Sequence, residues 1–573
     1  MHTINRPVIP CALVVAALLL AGACGDDSTG SADAGADGST GDASLLPDSS
    51  TEPDAALPEL MLPAYDLASV EADLDFLCSP ALTGRATATP GNELALAFVE
   101  QRFYDIGLEP AGDTPGSYRQ EFPYTKFEQL SVPVVTLDGS TLVSGDDFTV
   151  VMYSSPGTVD ASVVFVGYGL VVPPFDAAQY PNCPLDPAGF DELAGVNLTG
   201  KIVIYAIGVP DDDPNMGYCP FDYSGDRVAL ALDRGAAAVV GFFGYAYPPE
   251  AIRGFLASVS NGTYGMPNLA LNRDTLERFL PLLPDWMADI DNTYTPQGRE
   301  LALRATIRVE AQNVQTVSHN LLGLIPGLDP SLAHETVIVS GHIDHVGADE
   351  ETGAVYCGAN DNASGTVAAY HLAEQLITLY GQPRRSVLVA AWNGEETGLW
   401  GSTHYAANPL RDLLYTVGVV NIEMLSSGDG DSVLAYGEND VAVTWLIDLL
   451  SAAIWDLALP VEVIPIPMGR DSDHWPFYAS GVPATSLRGG PAARAPYYHT
   501  PEDNMDNFVM DHMNKGMQAS WALLLPLALG LEMEMLAPAP PPAPLPHSQP
   551  STVPWPVSVT LPYAYPHRPL PHK

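Results

Sequence analysis

The sequence is poor in basic residues. Only 23 of its 573 residues are lysine or arginine, whereas 69 are aspartate or glutamate, and the formal net charge at pH 7 is −46. Proteins that bind nucleic acid need clustered cations to replace the counterions of the phosphates. The charge balance therefore argues against nucleic acid as a partner. Hydrophobic residues make up 47% of the chain, which is typical of a folded protein.

After the N-terminus the sequence also lacks apolar runs of the roughly 20 residues that a membrane-spanning helix needs. The apolar run at 8–20 follows Arg6 and precedes the small residues Ala-Gly-Ala at 21–23. This order indicates an export signal over residues 1–24. It resembles a bacterial lipoprotein signal, which implies a lipid anchor on Cys24 as the contact with a membrane and a cell-envelope location, periplasmic or on the outer surface. The alternative is an ordinary signal peptide cut nearby, which would give a secreted protein.

Cysteine is scarce, with six residues, two of which belong to the signal segment. The other four would lie in an oxidising compartment, where disulfides persist. We expect Cys183 to pair with Cys219, because both lie in one region rich in proline and glycine. Cys78 and Cys357 then pair by elimination. None of the four has the C-x-x-C spacing of a zinc ribbon or a redox site.

Two stretches lack the composition of a folded domain. Residues 25–60 contain no lysine, arginine or aromatic residue and are rich in small and acidic ones. They cannot bury enough apolar surface to offset the entropy lost on ordering, so we predict a disordered acidic tether. Residues 537–573 contain 13 prolines and predict a disordered, extended tail.

The folded part after about residue 312 alternates strand and helix patterns. Apolar runs at 336–340, 386–392 and 417–422 predict buried strands, and 363–380 predicts a helix between the first two. This alternation predicts an α/β fold with a doubly wound, mostly parallel sheet and helices on both faces. In such sheets the active site lies at the carboxyl ends of the strands.

Histidine and acidic side chains follow these strands or open the next helix. The set consists of His342, Asp344, Asp361, Glu395, Glu396, Glu423 and His499. Carboxylates crowded at one sheet edge repel one another unless cations lie between them. The two histidines together with three of these carboxylates would make a ligand set suited to zinc, with one carboxylate able to bridge two ions.

In order and spacing this set resembles the site of the M28 family of zinc aminopeptidases. The resemblance rests on His-x-Asp at 342–344, Gly-Ala-Asn-Asp-Asn-Ala-Ser-Gly at 358–365, Glu-Glu at 395–396, Glu423 and His499. Further similarity lies in Leu-Thr-Gly-Arg at 82–85, Gly-Leu-Glu-Pro at 107–110 and Ser-Asp-His-Trp-Pro-Phe at 472–477.

The resemblance implies a zinc-peptidase domain formed by residues 61–131 and 312–536. Residues 132–311 would be a β-rich insertion, and Val-Gly-Tyr-Gly at 166–169 and Gly-Lys-Ile-Val at 200–203 make it similar to a protease-associated (PA) domain.

The resemblance also implies two zinc ions. Asp361 would bridge them, His342 and Glu423 would complete one site, and Glu396 and His499 the other. Glu423 stands where many relatives have aspartate, and its side chain reaches one methylene further.

Three further residues receive roles from the resemblance. Glu395 would be the general base that accepts a proton from the attacking water. Asp344 would orient the imidazole of His342, a partner that metal-bound histidines usually have. Tyr498 would donate a hydrogen bond to the oxyanion. His345, His404 and His474 have no partner at ligand spacing, and we expect them to be structural residues or supports of the ligands.

These roles imply an exported peptidase that removes N-terminal residues from peptide substrates. Another activity of the family remains as the alternative, either carboxypeptidase action on acidic peptides or glutaminyl cyclisation. In a carboxypeptidase, Arg488 or Arg494 would hold the terminal carboxylate of the substrate. A non-catalytic scaffold that binds protein through the insertion is a third hypothesis, but such a protein should have lost ligands or the base.

Overall fold

The computed structural model describes residues 60–150, 154–178, 183–210, 219, 227–243, 265–348, 353–438, 440–490 and 497–536. The predicted signal segment, nearly all of the tether and the proline-rich tail lie outside these residues. Within the described ranges, no helix combines the length and the apolar character needed to cross a membrane.

The secondary structure alternates along the chain much as the sequence predicts. The helices are α1 Leu67–Leu77, α2 Pro90–Ile106, α3 Arg227–Asp233, α4 Arg273–Phe279, α5 Leu283–Thr293, α6 Ser364–Tyr380, α7 Trp400–Ala407, α8 Thr444–Asp456, α9 His474–Ala479, α10 Met510–Leu529 and α11 Glu532–Met535. The strands are β1 Glu109–Pro110, β2 Arg119–Gln129, β3 Val134–Leu137, β4 Ser140–Thr141, β5 Phe148–Val150, β6 Gly157–Phe165, β7 Val171–Val172, β8 Phe190–Asp191, β9 Ile202–Ile207, β10 Ala238–Phe243, β11 Asn268–Leu271, β12 Arg299–Val309, β13 Ala311–Ile325, β14 Thr336–His342, β15 Ser386–Trp392, β16 Thr416–Glu423, β17 Ser432–Tyr436, β18 Glu462–Ile466 and β19 Ala484–Gly490.

One sheet of nine strands combines β1 and β2 with the seven strands from β13 to β19. Its order is β1-β13-β15-β14-β16-β19-β17-β18, and β2 pairs with β13. The central strands β15, β14, β16 and β19 are parallel, whereas β13 and β17 join them antiparallel. The α/β fold is confirmed, and its parallel core agrees with the prediction. The sheet as a whole is mixed, because antiparallel strands flank that core.

Helices cover both faces of this sheet. Val337 and Val339 of β14 belong to the apolar core that α1, α2, α6, α8 and α10 complete on one face. Ile338, between them, belongs to the core on the opposite face, with Tyr405 of α7 and Phe477 of α9. Because successive side chains of a strand point to opposite faces, a strand covered on both sides is apolar at every position. This explains the continuous apolar runs in the sequence.

The residues between β2 and β13 build a second sheet of eight strands, in the order β4-β3-β12-β6-β9-β10-β11-β5. This sheet has its own apolar core, which includes Phe165, Phe242 and Leu269. The flanking strands β2 and β13 pair antiparallel from Arg119 with Leu321 to Gln129 with Ala311. The expected boundaries of the insertion, 132 and 311, adjoin this pair, and its assignment as a PA domain stays a prediction.

Both expected disulfides are present. Cys183 pairs with Cys219 within the insertion. Cys78 pairs with Cys357 across 279 residues of sequence. The second disulfide joins the end of α1 to the loop that leads to Asp361, and it therefore lies next to the predicted metal ligands.

Candidate metal centre

The carboxyl ends of three neighbouring parallel strands bring four of the predicted residues together. His342 is the last residue of β14 and Glu423 the last residue of β16, while Glu395 and Glu396 follow β15 in a tight turn. His342, Glu396 and Glu423 are buried, and the side chain of Glu395 keeps 12% of its surface exposed. These four side chains therefore lie together at the carboxyl edge of the parallel strands, where the sequence predicts the site.

Asp361 lies at the centre of the group, in the irregular turn that precedes α6. One of its carboxylate oxygens is 3.3 Å from Nε2 of His342, and the other is 3.0 Å from Nε2 of His499. The carboxylate thus faces a different histidine with each oxygen. This is the arrangement that a ligand shared by two metal ions requires.

The candidate ligand atoms form three overlapping groups, in each of which they lie within 4.8 Å of one another. One consists of His342, Asp361 and Glu423, another of His345, Asp361, Glu396 and His499, and the third of His342, Glu395 and Glu396. All five predicted metal ligands belong to these groups, with Asp361 in two of them.

His345 belongs to one of these groups, although its spacing in the sequence does not indicate a metal ligand. Its Nδ1 lies 2.7 Å from Oε1 of Glu396, and its ring centroid lies 5.4 Å from that of His499. It follows His342 by three residues in a loop after the strand, where spacing does not indicate which way a side chain points. Its contact with Glu396 supports that ligand, which agrees with the supporting role we allowed for it. His404 and His474 belong to none of these groups.

Asp344 contacts both His342 and the turn that carries the two glutamates. Nδ1 of His342 lies 3.2 Å from the main-chain oxygen of Asp344 and 3.8 Å from its carboxylate. The carboxylate accepts hydrogen bonds from Thr87 Oγ1 at 2.9 Å and from the N–H groups of Glu395 and Glu396 at 3.2 and 3.3 Å. The side chain therefore holds the Glu395–Glu396 turn, and its role in orienting His342 stays a prediction.

Glu423 is held by its own strand and by the start of α9. Its Oε1 accepts a hydrogen bond from Asn421 Nδ2 at 3.2 Å and another from Ser472 Oγ. Its Oε2 lies 3.7 Å from Nε2 of His342. One oxygen is therefore fixed by the protein and the other faces the site. Asn421 could have been found from the sequence, since it lies two residues before Glu423 and so on the same face of β16.

Buried carboxylates dominate the electrostatics of the site. Burial lowers the pKa of His499, but Glu396 and Asp361 outweigh burial and raise it to about 10. Burial also lowers the pKa of His342, which its neighbours, led by Glu395, raise well above the usual value. The imidazoles therefore hold protons strongly when no other cation is near. Such a site attracts positive charge.

Two further side chains have properties suited to catalysis. Burial raises the pKa of Glu395 well above its usual range, although nearby His342 opposes this. The ring of Tyr498 stacks on His499 with centroids 3.8 Å apart, and burial raises the pKa of its phenol. Glu395 can thus take up a proton, and Tyr498 stays a neutral hydrogen-bond donor.

The structure describes only one of the two arginines that would hold the terminal carboxylate of a carboxypeptidase substrate. Arg488 lies 3.3 Å from Asp471 and packs over the ring of Tyr436, 5.4 Å from its centroid. Its charge is therefore already paired. Arg494 lies outside the described residues.

Comparisons with known proteins agree with this geometry. The model of peptidase family M28 matches residues 320–524. Leupeptin-inactivating enzyme 1 of Streptomyces exfoliatus is 31% identical over 174 residues, which are 30% of this chain and 36% of that protein. An aminopeptidase of Pseudomonas aeruginosa is 24% identical over 328 residues, 56% of this chain and 50% of that protein. The chain thus matches between about a third and a half of the length of these curated relatives.

The fold is also found among solved structures. An aminopeptidase from Aneurinibacillus sp. strain AM-1 superposes with a TM-score of 0.55 at 22% identity, covering 81% of this chain and 94% of that one. At this level of identity the likeness establishes the fold. The matched residues 320–524 contain all five predicted metal ligands and Glu395. Residues 320–524, which hold the candidate metal centre, are therefore similar to peptidase family M28.

Proposed function

We propose that the protein is a di-zinc metallopeptidase that removes N-terminal residues from peptides. The observation that carries the proposal is the carboxylate of Asp361, which faces His342 with one oxygen and His499 with the other. Each histidine is joined there by a further carboxylate, Glu423 beside His342 and Glu396 beside His499.

The donor set fits zinc. It consists of imidazole nitrogens and carboxylate oxygens, which are the N/O ligands that catalytic zinc sites use. Nε2 of His499 lies 3.0 Å from oxygens of Asp361 and Glu396 but makes no well-directed hydrogen bond to either. A buried nitrogen without such a partner, directed at two carboxylates, suits a shared cation better than a hydrogen bond. When bound, zinc supplies a Lewis acid that activates water and polarises a peptide carbonyl.

The chain itself moves the proton and stabilises the developing charge. Glu395 accepts the proton of the attacking water and returns it to the leaving amine. Burial raises its pKa well above the usual range of a glutamate, which strengthens it as a proton acceptor. Asp344 fixes the main chain on which Glu395 sits. The phenol of Tyr498 donates a hydrogen bond to the carbonyl oxygen as it becomes negative.

Recognition of the N-terminus follows from the excess of carboxylates. A free α-ammonium group is attracted to a site rich in negative charge. A carboxypeptidase instead needs an unpaired cation for the terminal carboxylate, and the guanidinium of Arg488 is paired with Asp471. This pairing favours the aminopeptidase over its alternative.

Acetylation of the substrate tests this assignment. The enzyme should cleave an aminoacyl anilide with a free amine and reject the N-acetylated form, because acetylation removes the charge that positions the scissile bond. The rejection should weaken above the amine pKa of about 8, where the free amine is itself neutral. Rapid cleavage of an N-acetylated peptide that ends in glutamate, lost in Arg488→Ala, would instead establish the carboxypeptidase.

We further propose that the protein is exported and anchored by a lipid on Cys24, with residues 25–60 as a tether that holds the peptidase in water. The signal pattern at the N-terminus supports this proposal. Replacing Cys24→Ser should prevent labelling by a fatty-acid probe and release the protein from the membrane fraction. An unlabelled wild-type protein found only in the medium would favour the ordinary signal peptide.

A further inference from the structure

The loop Cys357–Asp361, which carries the shared carboxylate, is contacted by a buried positive side chain. Arg85 has no exposed surface. Its guanidinium donates to the main-chain oxygens of Cys357 and of Gly358, the latter at 3.1 Å. It also donates to the oxygen of Ile343 at 3.0 Å, in the loop that follows His342. The same charge therefore joins the two loops that present metal ligands.

A buried acidic side chain contacts the same loop further along. Asp503 is 5% exposed. One of its oxygens accepts the N–H of Asn360 at 2.8 Å, and the other accepts the N–H of Asp361 at 3.0 Å. Asp503 lies four residues after His499, so it also ties this loop to the segment of another ligand.

The two contacts restrain the loop in complementary ways. Arg85 binds carbonyl groups on one side of Asp361, and Asp503 binds N–H groups at and before it. Hydrogen bonds to charged groups are stronger than neutral ones, and leaving a buried charge without them is costly. Burial lowers the pKa of Arg85 to about 10, which leaves it charged at neutral pH. The main chain at Asp361 cannot shift without breaking these bonds.

Arg85 differs from Arg385, the other buried arginine of the described residues. Arg385 forms ion pairs with Glu335 and Glu532, at 2.6 and 2.7 Å, which is an ordinary way to bury a charge. Arg85 forms no such pair in the described part of the chain and is satisfied by main-chain oxygens. Because its hydrogen bonds go to main-chain oxygens, the guanidinium of Arg85 fixes the geometry of the backbone around it.

We propose that Arg85 and Asp503 are positioning residues that fix Asp361 between the two metal sites. This inference rests on the proposed function, because it assumes that Asp361 is shared by two zinc ions. It leads to a distinctive expectation. Loosening a shared ligand must weaken both sites together, whereas loosening a ligand of one site must weaken that site alone.

The test uses Asp503→Asn and Arg85→Lys in the full chain. The asparagine keeps the shape of the side chain but places an NH₂ group against a main-chain N–H. The lysine keeps the charge but loses the planar arrangement of donors. Zinc affinity is measured by competition with a chromophoric chelator, and the melting temperature is measured with and without zinc. We expect both ions to bind at least about tenfold more weakly and the melting temperature to rise less on zinc addition.

Two control variants separate positioning from general stability. Among the proposed metal ligands, Asn421 donates a hydrogen bond to Glu423 alone, so Asn421→Ser should weaken one ion and leave the other. Arg385→Lys disturbs a buried arginine that contacts none of the metal ligands. It should lower the melting temperature of the metal-free and zinc-loaded forms equally, with unchanged zinc affinity.

The outcomes are distinct. If Asp503→Asn binds two ions as tightly as the wild type, or if only one ion is weakened, the positioning role is refuted. If Arg85→Lys does not fold, Asp503→Asn and the longer Asp503→Glu decide the question by the same two measurements. A wild-type protein that binds no zinc would refute the proposed function itself, and this inference with it.

Discussion

Replacing Glu395→Gln removes the proposed base and leaves the rest of the site in place. The side chain keeps its shape, and the main-chain N–H that Asp344 holds is unaffected. Glu395 is not one of the five proposed metal ligands, so the change should leave both zinc ions bound. General-base catalysis contributes about 10²- to 10⁴-fold, and we expect kcat to fall by that factor. This corresponds to about 2.7 to 5.5 kcal/mol in activation free energy.

The assay compares kcat, KM and zinc content of the same preparations. The adjacent residue gives the matched control, because Glu396 lies 3.0 Å from His499 and belongs to the ligand group. Glu395→Gln should retain both zinc ions with an almost unchanged KM and a much lower kcat. Glu396→Gln should lose zinc.

The reasoning would be refuted if Glu395→Gln kept wild-type kcat with its full zinc content. If Glu423→Gln were instead inactive while retaining both ions, the roles of these two glutamates would have to be exchanged.

Three further results are expected. Removing zinc by dialysis against a chelator should abolish activity, and about two zinc ions per chain should restore it; full activity without metal would contradict the mechanism. Tyr498→Phe should lower kcat by about 10²-fold with little change in KM, as loss of an oxyanion donor does, and an unchanged kcat would remove Tyr498 from the mechanism. Burial lowers the pKa of His371, but Asp73 and Glu374 outweigh it, so the pKa is raised. The stability gained from these bonds is then present below about pH 6.5 and lost as pH rises through the folded-state pKa. Urea unfolding from pH 6 to 9 should therefore show a steeper loss of stability in the wild type than in His371→Gln, and parallel curves would exclude this role.

The sequence alone predicts the position of those strands and side chains that a local pattern determines. Buried parallel strands are apolar along their whole length, so β14, β15 and β16 could be recognised and their ends located. Side chains directly after those ends must meet at one sheet edge, which is why His342, Glu396 and Glu423 could be grouped before the structure was known.

Contacts between distant segments could not be predicted in this way. Arg85 and Asp503 meet the Asp361 loop from opposite parts of the chain, and no spacing or periodicity connects them. His345 was set aside because loop residues have no period that fixes their direction. The carbonyl and the carboxylate of Asp344 both lie close to the imidazole of His342, and sequence cannot choose between them. The antiparallel pairings of β13 with β15 and of β17 with β19 likewise join distant segments, which local patterns do not record.

The disulfide between Cys78 and Cys357 closes a ring of chain that contains the whole second sheet. A single proteolytic cut anywhere inside that ring would leave both fragments covalently joined. Both fragments would also stay attached at the point where α1 meets the loop that leads to Asp361. In the exported peptidase that we propose, this disulfide would keep a molecule that is cut in its insertion in one covalent piece. On a gel, a nicked molecule would migrate as one chain until a reductant was added, and then as two.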